Sequence, residues 1–229
     1  MTAAPGKRRF LILLYLFGFV LFTSLGIWQV ERRAWKLDLI GRVEARIHAA
    51  PVTVPERFDA LEDEYRRVRV AGSFLPVRDT LVDALTERGA GFWVLTPLQT
   101  GGSVILVNRG YVPANRKTSY ARPAGPVVIT GLMRQSEPQG RFLRSNSPKD
   151  DRWYSRDVAA IAQRRGLPSV APYFIDADAS PNPGGYPVGG MTVVGFRNMH
   201  LVYALTWFGL AAMCAAGLVM VRRLKASDG

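Results

Sequence analysis

Cysteine and histidine are almost missing from this chain, with one Cys and two His in 229 residues. The lone Cys214 allows no intrachain disulfide, no cysteine-ligated metal cluster and no Cys-x-x-Cys-His haem attachment. His48 and His200 stand far apart and form no His-Glu-x-x-His zinc pattern. There is no Gly-x-Ser-x-Gly nucleophile elbow, no Gly-x-x-x-x-Gly-Lys phosphate loop and no Gly-x-Gly-x-x-Gly dinucleotide turn. No catalytic residue is assigned, and the chain is expected not to be an enzyme. Acidic residues are also short, 18 against 30 Lys and Arg, for a formal net charge of +12. The basic residues are scattered along the chain. That argues against nucleic acid and favours the anionic headgroups of membrane lipid as the partner of this charge.

What is plentiful is apolar length, at the two ends. Phe10 to Val30 and Leu201 to Val221 are each 21 residues long and nearly free of polar groups. As α-helices each would be about 31 Å long, the thickness of a bilayer's hydrocarbon core. The first run is too long for a signal-peptide core. It is followed by the bulky Ile27-Trp28-Gln29-Val30, where a peptidase would need small residues, so it reads as a retained anchor. Arg222, Arg223 and Lys225 flank the far end of the second run, against Arg197 before it. By the positive-inside bias both termini face the cytoplasm. The expected layout is a cytoplasmic arm 1–9, a membrane helix 10–30, an exported domain 31–200, a second membrane helix 201–221 and a cytoplasmic tail 222–229. The arm lacks the character of an organellar transit peptide, so a bacterial inner membrane with a periplasmic domain is expected.

Between the anchors the apolar period changes. Trp28, Trp35, Leu39, Val43 and Ile47 recur at helical spacing, so the first helix should leave the bilayer intact and stop before Pro51. From Tyr65 the period is two: Val68 and Val70 alternate with arginines, and Gly72 ends the run. Further strands are expected at 80–85, 92–98, 103–108, 127–133, 173–176 and 191–196. A tight hairpin is expected at Gly101-Gly102, its glycines at positive φ. Trp153 to Arg165 reads as a helix stopped by Gly166. The stretches 134–152 and 180–190 read as exposed loops. The fold class is a membrane-anchored α+β protein: two terminal transmembrane helices flank a mainly antiparallel β domain, barrel- or sandwich-like, with one or two helices. Asp176 and Asp178 read as a strand-ending turn rather than a metal or acid–base pair, and Asp150 and Asp151 as loop solubilisers.

His200 lies at the outer mouth of the second membrane helix. Positions 200, 203, 207, 211, 214 and 218 follow one helical face, which would project His200, Tyr203 and Trp207 together. An imidazole there can ligate a haem iron, with aromatics against the porphyrin and Arg197 near a propionate. By residue chemistry alone a belt of interfacial aromatics with a headgroup-contacting histidine is the simpler reading. Small or polar Gly18, Gly26 and Gln29 on the first helix, and Gly209, Ala212 and Ala216 on the second, offer surfaces for close helix approach.

Several blocks together resemble the Surfeit-locus cytochrome c oxidase assembly family. These are Leu25-Gly26-Ile27-Trp28-Gln29, Tyr65-Arg66 with Gly72 and Phe74, and Asn108-Arg109-Gly110-Tyr111-Val112-Pro113. Trp153-Tyr154, Phe174-Ile175-Asp176-Ala177, Arg197-Asn198-x-His200-Leu201-x-Tyr203 and Thr206-Trp207-x-Gly209-Leu210 complete the likeness. The resemblance covers about residues 25 to 210. It implies an assembly factor that binds haem a transiently and assists its insertion into oxidase subunit I, with haem a synthase a further partner. The alternative it leaves open is a chaperone for a subunit I intermediate that never holds haem. It also implies that His200 is the haem iron ligand, with Trp207, Tyr203 and Arg197 around the cofactor. Met199 departs from the family, where many relatives carry an acidic residue.

Overall fold

The computed structural model describes residues 5–141, 143–196 and 198–223. Arg197 and part of the expected tail, 224–229, lie outside the described residues, as do 1–4 of the arm. The chain divides into two compact units, Met1–Arg42 with Gly195–Gly229, and Val43–Val194.

The first unit is a pair of helices. Helix α1 (Pro5–His48) continues unbroken from the first apolar run, as its helical spacing requires, and α4 (His200–Arg223) carries the second. Both are long and apolar enough to cross a membrane. They run antiparallel in close contact. A Cβ added to Gly18 would lie 2.9 Å from Cys214 Sγ, one on Gly26 2.5 Å from the Phe208 ring, and one on Gly217 2.7 Å from the Tyr15 ring. In lipid there is no hydrophobic drive between helices, so such close packing must hold the pair. Gly18, Gly26 and Gln29 face the contact as expected, but the α4 side is corrected. A Cβ on Gly209 would meet nothing, and Ala212 and Ala216 are exposed, whereas Ala204 and Ala211 are buried.

The second unit is a β barrel. Its strands are β1 (Val52–Thr53), β2 (Arg67–Phe74), β3 (Thr80–Thr86), β4 (Gly89–Gln99), β5 (Val104–Pro113) and β6 (Pro126–Gln135). A hairpin of β7 (Gly140–Arg141) and β8 (Arg144–Ser145) follows, then β9 (Val170–Ala177). The short helix α2 (Ala60–Asp63) precedes β2, and α3 (Val158–Arg165) precedes β9. The sheet order is β1-β2-β6-β9-β5-β4-β3, and β2 also pairs with β4, which closes the ring β2-β6-β9-β5-β4. Most pairings are antiparallel, but β5–β9 and β1–β2 are parallel.

Two apolar clusters lie on opposite faces of this sheet. Val68, Ile105, Met133 and Ile175 come from β2, β5, β6 and β9 and fill one side. Leu95, Leu106 and Phe174 meet Val158 and Ile161 of α3 and Trp153 on the other. β5 is therefore buried on both faces from Val104 to Val112, and its period-two signal disappears. Each such side chain contributes about 1.5–3 kcal/mol on burial.

Four expectations change. Gly72 does not end its strand: β2 runs on to Phe74, and at Gly72 a Cβ would lie 2.3 Å from Gln99 O, so the glycine admits β4 where the barrel closes. The hairpin at Gly101-Gly102 is present, but neither glycine has positive φ; Thr100 closes it by donating its N–H and hydroxyl to Ser103 O. The third helix starts at Val158, not Trp153. Asp157 caps it by accepting the Ala160 N–H, and Trp153 instead bridges to Val82 of β3. Residues 191–196 form no strand; Gly190 binds back to Ala177 O and Thr192 is held by its side chain.

Candidate functional site

At the mouth of the helix pair, His200 is the first residue of α4 and Gln29 lies buried on α1, 8% exposed. Gln29 Oε1 is 2.7 Å from His200 Nδ1. An amide oxygen can only accept, so Nδ1 is the donor, and in the neutral imidazole the Nε2 lone pair is then free. Trp207, two turns further on, stacks against Phe22 of α1 with ring centroids 5.7 Å apart. Nearby, Asn198 Oδ1 is buried with no hydrogen-bond partner among the described residues.

The expected face of His200, Tyr203 and Trp207 is thus split. His200 and Trp207 turn to α1, while Tyr203 is 54% exposed. Arg197 lies outside the described residues. The remaining donor set still suits a haem iron. A neutral imidazole whose Nδ1–H is tied to a carbonyl-type oxygen presents Nε2 in a fixed tautomer and orientation, the form in which histidine ligates iron.

The β domain carries a second constellation, centred on Asp176 at the end of β9. Its carboxylate is 3% exposed. It accepts from Asn108 Nδ2 at 2.7 Å, Arg134 Nη1 at 2.9 Å, Arg156 Nη1 at 3.1 Å and Thr192 Oγ1 at 3.0 Å. Arg156 also pairs with Glu137, and Arg134 with Glu64. Burial works against both guanidinium charges, yet the carboxylates outweigh it: Asp176 first, then Glu137 for Arg156 and Glu64 for Arg134, so both pKa values lie above the ordinary one. Every oxygen of Asp176 is engaged, and the hub locks β5, β6, β9 and residues 156 and 192 together. It is a structural device.

This network corrects two sequence expectations, and a separate ion pair at Asp151 corrects a third. Asp176 is more than a turn residue, though Asp178 does close a turn by accepting from Ser180. Arg134 and Glu137 belong to the buried network, not to an exposed loop. Asp151 is no solubiliser: it accepts from Arg165 at 2.7 Å and from the Trp153 indole at 2.8 Å. The only sequence signal for the network was the unusual placement of Arg134 directly after the apolar Val127–Met133 run.

The chain matches the model of the SURF1 family over residues 16–212. It is 38% identical over 211 residues to Surfeit locus protein 1 of Rattus norvegicus, covering 82% of this chain and 68% of the rat protein. The human protein of the same name is 38% identical over 214 residues, covering 82% and 70%. A SURF1-like protein of Monosiga brevicollis is 37% identical over 219 residues, covering 87% and 83%.

Proposed function

The chain belongs to the SURF1 family, and on that premise we propose that it is a membrane-tethered, non-enzymatic assembly factor that holds haem a for delivery to cytochrome c oxidase subunit I. Haem a would be the cargo, and His200 Nε2 would hold its iron. The observation that supports this is the His200 Nδ1–H···Oε1 Gln29 hydrogen bond, which leaves Nε2 as a free base at the mouth of two helices long and apolar enough to span a bilayer. Gln29 fixes the imidazole. Trp207 and Phe22 form an aromatic wall below it, and Tyr203 offers an exposed ring. The apolar tail of haem a suits a site bounded by lipid, and a carrier that must release its cargo is better served by one histidine than by a closed pocket. Haem a synthase is the natural donor and subunit I the acceptor.

The setting proposed is a bacterial inner membrane with residues 31–200 in the periplasm, because Arg222 and Arg223 end α4. An alkaline phosphatase fusion near Pro126 should be active and one after Gly229 inactive. The opposite pattern would reverse the orientation.

Gln29→Leu tests the site itself. The helix contacts at Gly18, Gly26 and Gly217 remain, so the variant should stay folded and inserted. Losing the hydrogen bond that holds the imidazole should weaken haem a binding by about 10–100-fold, measured by titrating haem a into purified protein. Unchanged affinity would show that this bond does not prepare the ligand. A wild-type protein that takes up no haem a would favour a chaperone acting on subunit I alone.

A further inference from the structure

A roomy cleft lies in the β domain, in the 43–194 unit, and serves none of the roles assigned above. Its volume is about 670 Å³, within the usual range for small-molecule sites. It opens beside β3 and is walled by Phe92, Tyr120, Trp153 and Tyr154. Four basic side chains, Arg78, Lys117, Arg122 and Arg152, face three acidic ones, Asp79, Asp83 and Asp151.

The acids are already spoken for. Asp79 takes Arg122 at 2.6 Å and the Tyr120 hydroxyl at 3.0 Å. Asp151 takes Arg165 and the Trp153 indole, and Asp83 takes Arg141 at 3.0 Å and Arg144 at 3.7 Å. These bonds do two things: they fix the Tyr120 and Trp153 rings in the wall, and they cancel the negative charge from behind. Burial and then Asp79 push the Tyr120 pKa up, so the phenol remains a neutral donor to that carboxylate. Lys117 and Arg152, both exposed, have no acidic partner among the described residues. The cleft therefore presents fixed aromatic surface beneath uncompensated positive charge.

We propose that this cleft is a binding site for a carboxylate carried on an aromatic or apolar body, which lies against the partly exposed Phe92, Tyr120 and Tyr154 while Lys117 and Arg152 hold the anion. The ligand is either a free organic acid or an acidic side chain next to an aromatic one in a partner's peptide segment; the recognition chemistry is the same. The proposal does not depend on haem binding at His200.

Fluorine NMR of 4-fluorophenylacetate with the full-length protein in neutral detergent tests it. The protein should broaden the signal beyond detergent alone, and the amide 4-fluorophenylacetamide should show no such effect. Lys117→Glu with Arg152→Glu should weaken binding at least about tenfold; both side chains are exposed and unpaired, so folding is spared, and an unchanged circular dichroism spectrum checks this. Displacement by a capped Glu-Phe dipeptide amide at lower concentration than by unlabelled phenylacetate supports the peptide source, and the reverse order supports the free acid. Equal broadening by acid and amide, or full binding by the double variant, overturns the proposal.

Discussion

Gly110→Val should nearly abolish the folded protein. Gly110 has φ +122°, a region closed to residues with a Cβ, and a Cβ there would lie 2.1 Å from Val188 O. That carbonyl accepts the Tyr111 N–H, so backbone and not a movable side chain stands in the way. Strain and clash together should cost about 4 kcal/mol or more, a large share of the roughly 5–15 kcal/mol that keeps a domain folded. The check is protein abundance in membranes by immunoblot, with oxidase assembly scored alongside. Normal abundance with lost oxidase would make this turn a docking site instead of a structural one.

Asp176→Ala should be nearly as damaging. It would leave Arg134 and Arg156, with side chains 13% and 14% exposed, facing each other without the carboxylate they share, and with only Glu64 and Glu137 to offset their burial. Removing one partner of a buried ion pair costs about 3–5 kcal/mol. Asn108 and Thr192 would lose their acceptor as well. A large drop in thermal midpoint of the detergent-solubilised protein is expected. Asp176→Asn should recover part of it, because it can still accept from Asn108 and Thr192. An unshifted midpoint for Asp176→Ala would mean that the arginines find solvent or other acids at little cost.

Legibility of the fold followed local periodicity. The terminal anchors were readable from unbroken apolar length, the rest of α1 from the helical spacing of its apolar residues, and β3 was anticipated almost in full. β5 was cut short at Asn108 in the sequence reading because both faces of the strand are buried and no alternation marks its second half. Barrel closure was not readable. It depends on two residue pairs, Ser73 with Gln99 and Phe74 with Leu98, brought together only by the tertiary fold. Of the candidate site, His200 and Trp207 were legible as neighbours on one helix, but not that α1 engages both. Helical spacing sets which residues share a face and is silent on where that face points. Gln29 was legible as a polar residue that must find a partner at the membrane exit. The Asp176 hub was marked only by Arg134 directly after an apolar run; nothing local ties that arginine to Arg156 or to Asp176, which come from distant segments.

The central claim is that His200 ligates haem a. The most direct measurement is the visible absorption spectrum of the full-length protein purified from a host that makes haem a, wild type beside His200→Ala. The wild type should show a haem band that is lost or shifted in the variant, while yield and circular dichroism of the two proteins agree. A His200→Ala protein with the wild-type haem spectrum would contradict it.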